Sequence, residues 1–107
     1  MIEKLPIVPH RRREVPSGFG WVDHQLLREG HVKRCSTDAL ALYLTLICAA
    51  DRDGLSYYGD ALLCALLGWN RDRLEKAREN LEQADLIAWS APLYQVLELP
   101  AREEVAS

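Results

Sequence analysis

The chain has 107 residues, a net charge of −3 and 49% hydrophobic residues, which predicts one soluble globular domain with a short extension and excludes fibrous and extensively disordered classes. Its three cysteines are odd in number and lack a CxxC spacing, which indicates reduced thiols and a cytoplasmic location rather than a disulfide framework. The apolar start is broken by prolines and arginines and the longest apolar run is too short for a bilayer, so we expect neither a signal peptide nor a membrane span.

The first segment in chain order is a basic arm, predicted over residues 1–18 with a hinge at Ser17 and Gly18. Residues 1–34 carry seven Lys or Arg and four acids, whereas residues 35–107 carry six and twelve, so the folded part is acidic. Arg11, Arg12 and Arg13, called here the arginine triplet, are candidates for nucleic-acid binding. A solubilising tail is the alternative, and Arg28, Lys33 and Arg34 either extend the basic surface or lie in a solvated loop.

A globular domain is predicted over residues 19–99. Residues 19–22 favour a short strand, and Asp23 is placed to cap a short helix over residues 25–29 that Gly30 ends. Ser36 is placed to cap a long helix that runs to residue 50. Its apolar side chains point in nearly every direction, so we expect it to be covered on most sides, as the core helix or part of a dimer interface.

Turn chemistry at residues 51–54 precedes a short strand over residues 55–58. A second helix follows, with four leucines on its expected buried side: Leu62, Leu63, Leu66 and Leu67. Gly68 is placed to end that helix and Asn70 to cap a third one, which gives a helix-turn-helix. The third helix repeats apolar residues at spacings of three and four, namely Leu74, Ala77, Leu81 and Ala84. Residues 86–89 and 93–99 favour a β-hairpin, and residues 100–107 a solvated tail.

This order of elements over residues 36–99, mainly α with a small β-hairpin, resembles the winged helix-turn-helix superfamily. Residues 36–44 resemble the opening helix, and residues 50–56 the following turn, of winged-helix domains in replication-initiation proteins of plasmids, phages and mobile elements. Residues 62–68 and 81–87 are similar to their second helix and to the end of their third. The resemblance implies a cytoplasmic, non-enzymatic protein of DNA transactions, in replication or transcription regulation, whose third helix enters a major groove of double-stranded DNA.

That resemblance makes Arg71, Arg73 and Lys76 candidates for nucleic-acid contacts. The helical periodicity nevertheless places an acidic set on the outward face, with a net charge of −2: Asp72, Glu75, Lys76, Glu79 and Gln83. Duplex binding depends on neutralising phosphates with Lys and Arg, so this face disfavours groove reading. The acids Asp72, Glu75 and Glu82 are expected to pair with the arginines of the third helix, including Arg78.

The competing function class is a protein-interaction or dimerisation module that uses the acidic third helix and the apolar first helix. The aromatic residues suit either an interface or simple packing: Trp21, Trp69, Trp89, Tyr57, Tyr58 and Tyr94. No phosphate loop, nucleophile elbow or close pair of His and carboxylate predicts an enzyme, a cofactor or a small-molecule substrate. His24, His31 and Cys35 are too few for a structural zinc site, and Cys48 and Cys64 are expected to be small core residues.

Overall fold

Residues 4–100 are described by the computed structural model, and they form four α-helices and a three-stranded antiparallel sheet. Helix α1 spans Gln25–Arg28, α2 spans Thr37–Ala49, α3 spans Asp60–Leu67 and α4 spans Arg71–Gln83. Strand β1 spans Leu55–Ser56, β2 spans Ile87–Ser90 and β3 spans Leu93–Val96. Short 3-10 turns lie at Pro9–Arg11 and His31–Arg34. A mainly helical fold with a small antiparallel sheet is therefore confirmed. Residues 1–3 of the predicted arm and residues 101–107 of the predicted tail lie outside the described residues.

The helices begin and end where local chemistry favours it. The Ser36 hydroxyl accepts a hydrogen bond from the backbone N–H of Ala39, and the Asn70 side chain accepts one from Arg73. Gly68 adopts a left-handed φ of 70° directly after α3. Asp23 accepts from the backbone N–H of Gln25 at the start of α1. The predicted ends at Ser36, Asn70 and Gly68 are thus confirmed, whereas His24 is the N-cap residue of α1 and Asp23 lies one residue before it.

Strand β3 lies in the middle of the sheet, with β2 on one side and β1 on the other. The β2–β3 hairpin pairs Trp89 with Tyr94, and β1 pairs Leu55 with Gln95. The connection before β1 fits tightly, because Gly54 has a φ of 83° and its carbonyl accepts from the backbone N–H of Val96. The predicted hairpin is confirmed, although β2 starts one residue later than predicted and β3 ends at Val96 rather than at residue 99. The strand predicted over residues 55–58 is only two residues long and forms the third strand of the sheet.

The core lies between α2, α4 and the sheet. Its largest fully buried side chains come from these elements, from α3 and from the connection between α4 and β2: Tyr94, Leu42, Leu46, Leu63, Leu74, Leu81 and Leu86. The predicted inward face of α4 is confirmed, since Leu74, Ala77, Leu81 and Ala84 are all buried.

Several predictions about burial and local structure are wrong. Leu62 and Leu66 are 46% and 57% exposed because no other described element covers that side of α3. Cys48 on α2 is exposed, so its predicted place in the core is also wrong. Leu44 lies one turn before it and is exposed as well, but apart from Thr37 the other residues of α2 are buried or half-buried, so the helix is covered on most sides as predicted. Residues 19–22 form no strand, since no neighbouring strand supplies hydrogen bonds to them.

Candidate nucleic-acid interface

Helix α4 presents the acidic outward face that its periodicity predicts. Asp72, Glu75, Lys76, Glu79 and Gln83 are all exposed. Lys76, the one base in this set, lies 3.2 Å from the Asp72 carboxylate one turn before it. The outward face of α4 is therefore anionic, and its lysine is already partly neutralised.

Arg73 is directed sideways onto α2 rather than outward. Its Nε and Nη2 atoms donate to the two carboxylate oxygens of Asp38, at 2.8 and 2.9 Å, and its guanidinium lies 4.9 Å from the centre of the Trp69 ring. The hydrogen bond from Arg73 holds the pKa of Asp38 below its usual range, and the same pair raises the pKa of Arg73. This predicted nucleic-acid contact therefore acts as a bidentate link between two helices.

Arg71 lies on the opposite flank of α4 and is also paired. Its Nη2 donates to Asp60 Oδ2 at 3.1 Å, and its Nε lies 3.7 Å from Glu75 one turn later. The expected pairing with Glu75 is confirmed, but Asp60 on α3 is the closer partner. All three predicted contacts on α4 therefore have a carboxylate partner within this chain.

Arg78 is the residue of α4 that sequence reasoning places least well. Its side chain is only 6% exposed, and Nη1 donates both to Asp60 Oδ1 at 2.8 Å and to the Tyr94 hydroxyl at 2.9 Å. The guanidinium also lies 3.7 Å from the centre of the Trp89 ring. Its spacing from Leu74 and Leu81 is the one sequence signal of burial, and it is weak because arginine is seldom buried.

Burial and the contacts among Asp60, Arg78 and Tyr94 shift the pKa values of all three side chains. Burial opposes ionisation of Asp60, but hydrogen bonds from Arg78 and Arg71 outweigh it and hold the pKa of that carboxyl below its usual range. Burial raises the pKa of Tyr94. Burial works against the charge on Arg78, yet its bonds to Tyr94 and Asp60 leave its pKa raised. Arg78 and Asp60 thus form a charged pair that joins α3, α4 and the hairpin.

The arginine triplet differs from the bases of α4. Arg11, Arg12 and Arg13 are all exposed, at and just after the 3-10 turn Pro9–Arg11, and no carboxylate of residues 4–100 lies within ion-pair distance of them. Exposed guanidinium groups without a protein partner are available to phosphates.

The second basic set differs from the arginine triplet because one of its side chains is hydrogen-bonded within the domain. Arg28, Lys33 and Arg34 are exposed, but the Arg34 guanidinium donates to Nδ1 of buried His31 at 2.7 Å. The Arg34 carbonyl accepts from the Asn80 amide, whose oxygen accepts from Ser36. The turn His31–Arg34 is thereby fixed against α4.

A shallow groove of about 640 Å³ lies between the starts of α3 and α4 and the β2–β3 turn. Tyr58, Cys64, Trp89 and Pro92 form its apolar part, and Asp60 with Arg71 forms the polar part. Within residues 4–100, no group of three or more His, Cys, Asp or Glu side chains is placed to hold a metal ion. Cys35 donates to the His31 carbonyl, and burial raises the pKa of its thiol despite the neighbouring Arg34.

Comparison of the chain with family models, curated proteins and solved structures finds no significant match. In the part of the chain that the structure describes, no helix is long and apolar enough to cross a membrane.

Proposed function

We propose that this chain is a cytoplasmic, non-enzymatic winged-helix domain of DNA transactions, and that it contacts double-stranded DNA through the arginine triplet. Three features of the fold support the winged-helix assignment: a short strand between α2 and α3, the three-residue connection from α3 to α4, and the hairpin directly after α4. In helix-turn-helix proteins the second helix of the motif lies in the major groove, and α4 occupies that position in the order of elements.

The observation that carries the proposal is the contrast between two sets of bases. Arg71, Arg73 and Lys76 are each within 3.2 Å of a carboxylate, whereas the arginine triplet is exposed and without such a partner among the described residues. A base that is already paired with a carboxylate must lose that partner before it binds a phosphate, whereas an unpaired base need not. The triplet meets that condition, and basic arms of DNA-binding domains commonly lie along a groove.

The test is fluorescence anisotropy with a labelled duplex of mixed sequence over a series of salt concentrations. Replacement of all three arginines of the triplet by alanine is expected to weaken binding by about tenfold or more at low salt. The slope of log affinity against log salt should fall by about 3, roughly one unit for each lost phosphate contact. The matched control replaces Arg71 and Lys76 by alanine, and it should leave both quantities nearly unchanged. Absence of duplex binding at low salt, or an equal effect of both variants, contradicts the proposal.

A protein-interaction or dimerisation module is the second candidate, favoured by the anionic face of α4 and by the exposed Leu62 and Leu66 on α3. It predicts association that tolerates salt and depends on α3 and α4. Sedimentation equilibrium of the wild type, of Leu62→Ser with Leu66→Ser, and of the triplet variant separates the two candidates. A dimer that only the leucine variant disrupts favours the second.

A further inference from the structure

Phe19 and Trp21 are unusually open to solvent, with exposed fractions of 65% and 72%. Aromatic side chains of this size normally bury most of their surface in a folded protein, and an exposed pair commonly marks a binding surface. Both residues lie on the segment that joins the arginine triplet to α1. Neither is paired with a strand or included in the core.

The glycine between them fixes this segment to the domain. A Cβ atom at Gly20 would lie 2.7 Å from Cγ2 of Ile47 and 2.9 Å from its carbonyl oxygen, so the backbone passes directly over the end of α2. Asp23 then accepts from Gln25, and Leu26 is buried three residues later. The two aromatic residues are therefore held on an anchored stretch of chain and lose little freedom on binding.

The two aromatic residues flank the glycine that contacts α2. Gly20 lies against Ile47, whereas Phe19 and Trp21 on either side of it are both exposed. A separation of two residues keeps their Cα atoms within about 7 Å of each other. Two exposed rings this close in the chain offer stacking surfaces to neighbouring bases.

The charged residues near Phe19 and Trp21 indicate which class of ligand binds there. Phe19 is six residues after Arg13, so their Cα atoms lie within about 20 Å of each other even when the segment between them is extended, and Arg11 and Trp21 lie within about 35 Å. The acids in this stretch are Glu14 and Asp23, and they are outnumbered by the triplet. Cationic side chains that bind phosphates, beside aromatic rings that stack on bases, form the usual site for single-stranded nucleic acid.

We infer that Phe19 and Trp21 form a stacking site for unpaired bases, so that the N-terminal segment binds single-stranded DNA in addition to the duplex. This inference rests on the proposed function, because the triplet supplies the phosphate contacts for both. Stacking on a ring does not require a particular base, so binding is expected to tolerate changes of sequence.

The experiment uses the full chain and a labelled oligothymidine of about 15 nucleotides, with anisotropy and tryptophan emission as readouts. Phe19→Leu combined with Trp21→Leu keeps apolar bulk but removes both rings. Affinity for the single strand is expected to fall at least tenfold. Wild-type tryptophan emission should be quenched on binding, and this quenching should diminish in Trp21→Leu. Tyr57→Leu removes an aromatic ring that is 69% exposed on another segment, and it should bind as the wild type does.

The duplex assay on the same proteins separates this inference from the proposed function. Loss of single-strand binding with duplex binding retained in the leucine double variant supports the stacking site. Equal single-strand affinity of wild type and double variant overturns it, while the triplet variant still tests duplex binding independently. A change of oligomeric state in the double variant, with unchanged single-strand affinity, also overturns it and assigns the rings to a second copy of the chain.

Discussion

Arg78 shows how a buried charged residue can connect several elements of a small fold. It lies on α4 and is buried, donates to Asp60 and Tyr94, and covers the Trp89 ring. A guanidinium that is taken out of water needs all of these partners. Its side chain therefore joins three elements and is not available to a ligand.

Asp60→Ala is expected to lower the free energy of unfolding by about 3 kcal/mol, because it leaves the buried guanidinium of Arg78 without its carboxylate. Urea denaturation followed by circular dichroism measures this loss. The matched control is Asp38→Ala, which removes the carboxylate of an exposed bidentate pair and should cause a clearly smaller loss. Equal losses for the two variants would show that burial of Arg78 does not make its carboxylate partner more important for stability.

At the scale of elements, two left-handed glycines differ in what surrounds them. Gly68 has a φ of 70°, and a Cβ atom added there would have no neighbouring atom within 4 Å. Gly54 has a φ of 83°, and a Cβ atom added there would lie 2.7 Å from the Val96 carbonyl oxygen. The first glycine permits a helix to end. The second also permits the turn before β1 to approach β3.

Gly68→Ala is expected to lower the free energy of unfolding by about 1 kcal/mol, the strain of a left-handed alanine. Gly54→Ala should lower it by about 3 kcal/mol, because the new methyl group also displaces the backbone of β3. Thermal and urea unfolding of both variants test the difference. A Gly54 variant no less stable than the Gly68 variant would contradict the close contact.

The elements were largely predictable because their signals are local. Ser36, Asn70 and Gly68 mark helix ends through bonds and dihedral angles within a few residues. The exposure of Leu62 and Leu66 was not predictable, since an apolar face indicates burial only where a partner surface exists. The charge of the outward face of α4 also followed from periodicity. The main partners of the arginines on α4 could not be predicted in this way, because Asp38 and Asp60 are distant from Arg73 and Arg78 along the chain.

Across the whole molecule, charge is divided between a basic N-terminal segment and an acidic remainder of the chain. Residues 35–107 carry twice as many acids as bases, so intact ion pairs limit the repulsion among carboxylates at neutral pH. Two of these pairs link the helices to one another, through Asp38 on α2 and Asp60 on α3. Both carboxyls have a pKa below the usual range.

A lowered carboxyl pKa makes the stability of the fold depend on pH in one direction. The folded state binds fewer protons than the unfolded chain between the lowered pKa and the ordinary Asp value of about 3.9. The stabilisation from Asp60 is thus fully present above that value and is lost as the pH falls through the lowered pKa.

Urea unfolding from pH 7 to pH 2 should show stability decreasing below about pH 4. In Asp60→Asn the destabilisation relative to wild type should shrink over the same interval, because protonation removes the same charge from the wild type. A difference that stays constant down to pH 2 would mean that Asp60 is not ionised preferentially in the folded state.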